Sequence, residues 1–516
     1  MNERRHSQLL IAIACLVSAV AVLLATARGI GLSPDSLQYL AASENAAAGN
    51  GLMTFGWEGE PTPLRHFPPG YPVLLAPAYQ LHVSPHAFAR WSNVALFVLT
   101  ILLAAAITRR IAPQSTWAPA VVAVASAFAH DLVVVHSMAW SEPLYLTLSL
   151  AGVLALGTGI DRRRIGLLVL AAIAAACAAL VRFVGIANIA ALGLAILLWW
   201  PGSPWRRVST AFALGLIAAL PLGLLLLAGS GEGVANRQLG WYPLDPIDLR
   251  FALAVAAKWV TPSNETSIGT AVWALLLFAF VALVLVRALA RETVRPAHTV
   301  LARVLVLYGA SYVMVFVLAM SVIDAQTVFE PRHMTPVFLT VLILGISWLA
   351  HQSLEEPLVR FAVGATVAYL LAVNVMRLLP WLREVSANGL ALRRIEQDAV
   401  ALLNASRRLP GAAQLYSNDP YFMRVHTPRV VAGLPRERDP NSLLPNPRFR
   451  KQVQAICESA AARPTYLILF DDPMSSDPTA RGDIATQSGE VAFLPGGTMV
   501  RVRPHCASTA LRANGP

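Results

Sequence analysis

Charge is what this chain has least of. Asp, Glu, Lys and Arg make up 13% of its 516 residues and hydrophobic residues 56%, whereas soluble domains carry about 25% charged residues. That balance excludes an ordinary soluble fold and points to a membrane protein. Cysteine is nearly absent. Of the four, Cys15 and Cys177 fall in apolar runs and read as inert small apolar residues. Cys457 and Cys506 share a polar C-terminal region; two cysteines are weak evidence for a bridge, and the pattern leaves their pairing open. No internal repeat, low-complexity tract or pair of inverted halves is evident, and inverted halves are the mark of many secondary transporters. No basic stripe interleaved with aromatics accompanies the net charge of +11, which excludes a nucleic-acid partner. No small-residue cleavage site follows the first apolar run, 9–27, so that run is expected to be an uncleaved anchor.

What the chain does have is a succession of apolar runs, each near the roughly 20 residues that cross a bilayer. Eleven spans are expected, near 9–27, 88–108, 116–135, 143–160, 165–181, 184–200, 208–229, 269–289, 300–320, 335–350 and 361–379. Arginines mark every second connection: Arg4 and Arg5, Arg109 and Arg110, Arg162 to Arg164, Arg206 and Arg207, then Arg287, Arg291 and Arg295. Those loops are expected on the cytoplasmic side with the N-terminus, and the odd count delivers the C-terminus outside. The longer alternate loops hold most of the acids. The least regular stretch is 165–200, an apolar run broken by Arg182; two helices with an outside turn preserve the alternation of charge.

Beyond residue 380 the composition turns polar and the apolar runs shorten to strand length. Residues 413–417, 465–470 and 499–502 read as strands and 386–408 as a helix. The expected architecture is therefore an α-helical polytopic membrane protein with a small C-terminal extracytoplasmic α/β domain. Residues 1–380 form the transmembrane part, with a first outer loop at 28–87, and 381–516 form the outer domain.

The residue types that can do chemistry gather at the outer rim. Asp35, in Ser33-Pro34-Asp35-Ser36, follows the first span closely and is either a helix cap or a carboxylate poised at the bilayer edge. Tyr39 lies one helical turn further on and shares its face if Asp35 opens a helix. His66 and Tyr71 flank the rigid corner Pro68-Pro69-Gly70, which has few backbone donors and presents an imidazole and a phenol. Glu142 precedes Pro143 at a helix start, where the dipole alone favours a carboxylate. Arg182 must either snorkel or neutralise an anion. Arg332 and His333, in Glu330-Pro331-Arg332-His333, stand at an outer border. Asp324 and Glu330 are the obvious ion-pair partners there, while a guanidinium fork at headgroup depth suits a lipid phosphate. His130, Asp131 and His136 lack a regular ligand spacing.

In their order and spacing these pieces resemble the GT-C superfamily of polytopic glycosyltransferases, in the group with the protein mannosyltransferases and the aminoarabinose transferases of lipid A. The resemblance covers about 9–350. It rests on Asp35, Tyr39 and Gly49-Asn50-Gly51 in the first loop, the Pro68–Pro72 corner, Ser141-Glu142, Arg182-Phe183-Val184-Gly185 and Arg332-His333-Met334-Thr335-Pro336. It implies transfer of a sugar from a polyprenyl-phosphate carrier to an extracytoplasmic acceptor (lipid, glycan or protein), at the plasma membrane, with Asp35 as the base. Tyr39, His66, Tyr71, Glu142, Arg182, Arg332 and His333 would bind substrate, with Arg332 on the lipid phosphate. Many members carry two adjacent acids in the first loop, whereas Ser36 follows Asp35 here. The paired carboxylates that would hold a divalent metal are missing, and no metal or other cofactor is expected. A lipid or sugar transporter, or a flippase without covalent chemistry, is the competing class; it predicts ionisable groups near mid-membrane, whereas the acids here cluster at the rim.

Overall fold

The computed structural model describes residues 2–228, 240–261, 272, 299–324, 327–351, 357–427, 429–438, 445–471 and 489–504. The chain packs as two compact units. One comprises Met1–Ala27, Arg65–Tyr71 and His86–Ala387, and the other Arg28–Leu64, Pro72–Pro85 and Asn388–Pro516. Most of the segment 28–87 thus folds with the C-terminal segment.

The first unit is helical. Among the described residues seven helices are long and apolar enough to cross a membrane: Glu3–Ala25, Pro85–Ile111, Glu142–Asp161, Pro204–Ala228, Val300–Val322, Pro331–Leu349 and Val363–Asn388. This is an integral membrane protein. An eighth span is formed if Ala118–Phe128 and His130–His136, bent by 62° at their junction, are taken together.

The count is therefore lower than the eleven expected, for identifiable reasons. The run 116–135 breaks at Ala129, whose extended backbone (φ −65°, ψ 109°) ends one helix and starts the next. The runs 165–181 and 184–200 become helices Ile165–Val181 and Ile186–Trp199, of 17 and 14 residues. At 1.5 Å per residue these reach only about 21–26 Å, short of a hydrocarbon core of about 30 Å. The expected span 269–289 lies outside the described residues. The core is a continuous cluster of Ala, Leu, Ile and Val that includes Ala123, Leu146, Ala172 and Leu305, small residues letting neighbouring helices approach closely.

The second unit holds both sheets. In the first loop β1 (Met53–Phe55) and β2 (Pro61–Pro63) form an antiparallel hairpin. The C-terminal sheet contains β3 (Gln414–Ser417), β4 (Val431–Gly433), β5 (Thr465–Phe470), β6 (Gly489–Leu494) and β7 (Gly497–Val502) in the order β4-β3-β5-β7-β6. β4, β3 and β5 are parallel, while β7 runs antiparallel to β5 and β6. The three strands expected from the sequence are β3, β5 and β7. Helix Phe449–Ala462 lays Val453, Ile456 and Ala460 on Leu467, Leu469, Val500 and Val502; spacings of three and four put those residues on one helical face. The expected helix 386–408 is divided into the end of Pro357–Asn388, then Leu392–Asp398 and Val400–Arg407. The first break contains Ala391 at φ 54°, ψ −124°. A non-glycine residue pays about 1–3 kcal/mol in such a region, so the surrounding contacts must hold it there. Cys457 is disulfide-bonded and Cys15 and Cys177 are free, while Cys506 lies outside the described residues.

Candidate active site

Asp35 and Tyr39 belong to the second unit, on helix Pro34–Ala47. The cap of that helix is Ser33, not Asp35. The Ser33 side chain accepts from the Ser36 amide at 3.4 Å, and the Ser36 hydroxyl accepts from the Ser33 amide at 3.1 Å. This reciprocal pair satisfies two otherwise orphaned donors and relieves Asp35 of the capping role. Asp35 sits half-buried in the first turn, where a carboxylate suits the helix dipole. Tyr39, 3% exposed, is one turn on along the same face. Tyr79 donates to the Leu40 carbonyl at 3.1 Å and braces the middle of the helix. Burial pushes the Tyr79 phenol up to about 12, so it remains a donor throughout the physiological range.

The other candidates lie in the first unit, and most of them converge. Glu142, 4% exposed, opens helix Glu142–Asp161 with Pro143 behind it. Its carboxylate meets the Arg182 guanidinium at 2.5 Å, and the same Arg182 nitrogen donates to the Ser141 hydroxyl at 3.2 Å. Arg332, in the first turn of helix Pro331–Leu349, lays its guanidinium 4.9 Å from the centre of the Trp140 ring and donates from Nε to Glu330 at 2.8 Å. Arg182, Arg332 and His333 all act electrostatically on Glu142. His333 is buried, its ring 5.5 Å from that of Phe316, and its carbonyl accepts from the Tyr312 hydroxyl at 2.6 Å. Two helix N-termini, two guanidiniums and an imidazole thus share one neighbourhood.

Arg182 reaches it because the apolar run really does break. Helix Ile165–Val181 ends, Arg182 is extended (φ −146°, ψ 136°), and a short 3-10 turn Phe183–Gly185 starts the next helix. Gly185 makes the fold-back feasible: a Cβ there would fall 2.5 Å from the backbone of Ala178 and Ala179. Gly185→Ala is expected to abolish accumulation of folded, membrane-inserted protein, since backbone cannot yield as a flexible side chain can; normal yield and unchanged thermal unfolding in detergent would count against this. The Pro-Pro-Gly corner packs at the same break. A Cβ on Gly70 would fall 2.7 Å from the Leu180 carbonyl. Tyr71 is fully buried, and His66 packs edge-on against Phe67 at 4.5 Å.

The His130, Asp131 and His136 set separates into two environments. Asp131 pairs with Arg377 at 3.0 Å and with His130 at 2.9 Å. His136 stacks on Phe97 at 4.3 Å and bonds the Leu132 carbonyl through Nδ1 at 2.7 Å. Among the described residues no group of three or more His, Cys, Asp and Glu gathers as a metal site.

Sequence reasoning passed over Trp140 as a platform, Arg377 as the partner of Asp131, and Asn188, which donates to Tyr145 and Ser149 at 3.2 Å each behind Glu142. A usable signal existed for Asn188: an amide inside an apolar helix needs a partner.

No family model and no curated protein sequence matches the chain. Solved structures do. ArnT from Cupriavidus metallidurans, bound to undecaprenyl phosphate, is 15% identical over 96% of this chain and 97% of its own, with a TM-score of 0.54. The fold is that of the GT-C glycosyltransferases. The apo oligosaccharyltransferase of Archaeoglobus fulgidus matches 81% of this chain and 63% of its own at 14% identity, TM-score 0.51. Arabinofuranosyltransferase AftD from mycobacteria matches 96% of this chain but 40% of its own at 16% identity, TM-score 0.50. Of the three, ArnT shares the GT-C fold with this chain across nearly the full length of both proteins.

Proposed function

We propose that this chain is a membrane glycosyltransferase that moves a sugar from a polyprenyl-phosphate carrier to a hydroxyl acceptor on the extracytoplasmic side. The observation that carries this reading is the gathering of Arg182, Arg332 and His333 around Glu142 at two helix N-termini. Helix N-termini and guanidiniums both favour an anion, and a phosphate in particular. A GT-C fold shared with a protein that binds undecaprenyl phosphate supports a lipid phosphate as that anion.

Arg332, placed over Trp140 in the first turn of its helix and bound through Nε to Glu330, is the guanidinium assigned to the carrier phosphate. Glu142 keeps Arg182 in place, and His333 lies buried nearby with its Nδ1–H donated to the Val328 carbonyl. An acceptor hydroxyl gives its proton to Asp35 as its oxygen attacks the anomeric carbon. The bond from that carbon to the phosphate oxygen breaks, and the electron pair leaves with the polyprenyl phosphate. The leaving group is already a stable anion, so electrostatic stabilisation matters more than a general acid. The N-terminus is assigned to the cytoplasm and the C-terminal domain to the outside of the plasma membrane, as the arginine-rich loops require.

Membranes supplied with defined polyprenyl-phosphate sugars test this, with mass gain read on candidate lipid, glycan and protein acceptors. Arg332→Ala is expected to raise the donor concentration for half-maximal transfer roughly ten- to hundredfold, the worth of one hydrogen bond to a charged group, with acceptor dependence unchanged. An unaltered donor dependence would remove Arg332 from the phosphate site.

A further inference from the structure

The segment 30–57, which contains helix Pro34–Ala47, is gripped at both ends by residues more than three hundred positions away in the same compact unit. On the N-terminal side the Leu392 amide donates to the Leu32 carbonyl at 3.1 Å, and Leu32 and Ala391 form a parallel bridge. The strained Ala391 lies at this contact. Arg393 adds a second link, its Nε donating to the Ile30 carbonyl at 3.4 Å while Nη1 is braced by Glu396 at 2.9 Å. On the C-terminal side Asn45 donates to the Met53 carbonyl at 3.0 Å and ties the helix to the hairpin. The residue just beyond β1 and Gly56, Trp57, is locked into the C-terminal sheet. Its indole N–H donates to the Leu434 carbonyl at 2.7 Å, and its own carbonyl accepts from the Gly433 amide at 2.6 Å. Arg436 lies 3.9 Å over its ring and Tyr421 meets it edge-on at 6.1 Å. The fit requires glycine opposite, since a Cβ on Gly433 would fall 2.1 Å from the ring.

We infer that the C-terminal domain is the template that positions Asp35, with Trp57 and Arg393 as the positioning residues at the two ends of its segment. The inference rests on the reading of Asp35 as the base. A short helix with one capping box is marginal alone, and a carboxylate displaced by about 1 Å from its working place loses up to about a hundredfold in rate. Covalent continuity with a span restrains only one direction of approach; the backbone bridge at Leu32 and the indole anchor beyond the hairpin supply the others. Neither Trp57 nor Arg393 needs to touch substrate for this.

The test uses full-length protein in detergent or nanodiscs and reads two quantities: amide hydrogen exchange across 34–47, and kcat with donor KM in the mass-gain assay. Trp57→Ala and Arg393→Ala are expected to speed exchange across the helix and lower kcat by up to about a hundredfold with donor KM unchanged. Trp57→Phe, which keeps the ring and loses the N–H, should fall between wild type and Trp57→Ala, and Arg393→Lys should recover part of the loss. If Trp57→Ala does not accumulate, these milder variants carry the comparison. Exchange that stays at the wild-type rate overturns the inference, as does a loss confined to KM. Asp35→Asn is measured alongside. Near-normal transfer by that variant removes the base reading, while the exchange data still decide whether the C-terminal domain holds the segment. An inactive Asp35→Asn together with fast-exchanging clamp variants at full kcat overturns the positioning role alone.

Discussion

Asp35→Asn is expected to leave a folded, membrane-inserted protein whose transfer rate has dropped by ~10²–10⁴-fold, the usual worth of a positioned base. The two effects separate cleanly because of how the helix starts. Ser33 and Ser36 make the capping box, so the substitution removes no cap. It weakens a favourable interaction with the helix dipole, worth about 0.3–1 kcal/mol. The amide has nearly the shape of the carboxylate and cannot take the proton of an acceptor hydroxyl. The measurement is sugar transfer per folded molecule, with membrane content and thermal unfolding recorded in parallel. Near-normal transfer at normal content would remove Asp35 from the chemistry.

The second large effect is on stability. Arg182→Ala leaves the Glu142 carboxylate, with a side chain 6% exposed, without its 2.5 Å partner. Removing one member of a buried ion pair costs roughly 3–5 kcal/mol because the survivor stays desolvated and charged. Glu142→Gln with Arg182→Met, in one protein, is expected to recover most of that loss, since a neutral pair leaves no charge stranded. The double variant is expected to remain poor at transfer, because it lacks one of the guanidiniums of the proposed phosphate site. Unfolding temperatures in detergent for the single and double variants close the cycle. A single variant as stable as wild type would mean that the pair contributes nothing to holding the break at residues 182–185.

The relation of sequence to structure differs from element to element. Seven of the eleven expected spans coincide with long apolar helices, because in lipid each segment must satisfy its own backbone and advertises this by length and hydropathy. Where the expectation over-counted, the apolar signal was genuine but the geometry was not a straight crossing. Ala129 and Arg182 each interrupt a run that hydropathy alone joins or splits arbitrarily. The strands β3, β5 and β7 were readable from short β-branched and aromatic runs. The grouping of 28–64 and 72–85 with 388–516 was not, since no local pattern in the hairpin names Gly433 as the partner of Trp57.

The same division holds at the site. Glu142, Arg182, Arg332 and His333 were each conspicuous as polar residues at the edges of apolar runs, where charge is expensive and must have a reason. Their mutual arrangement was not conspicuous at all. Glu330 was an obvious neighbour for Arg332, and that pair forms; that Trp140 lies beneath the same guanidinium depends on two helix ends meeting.

Composition and the placement of arginines were enough to establish that this polypeptide lives in a bilayer with a polar C-terminal region, because transfer free energies act residue by residue and need no partner. Which carboxylate neutralises which guanidinium, and which distant strand receives Trp57, depended on packing. Those energies exist only between groups brought together by folding.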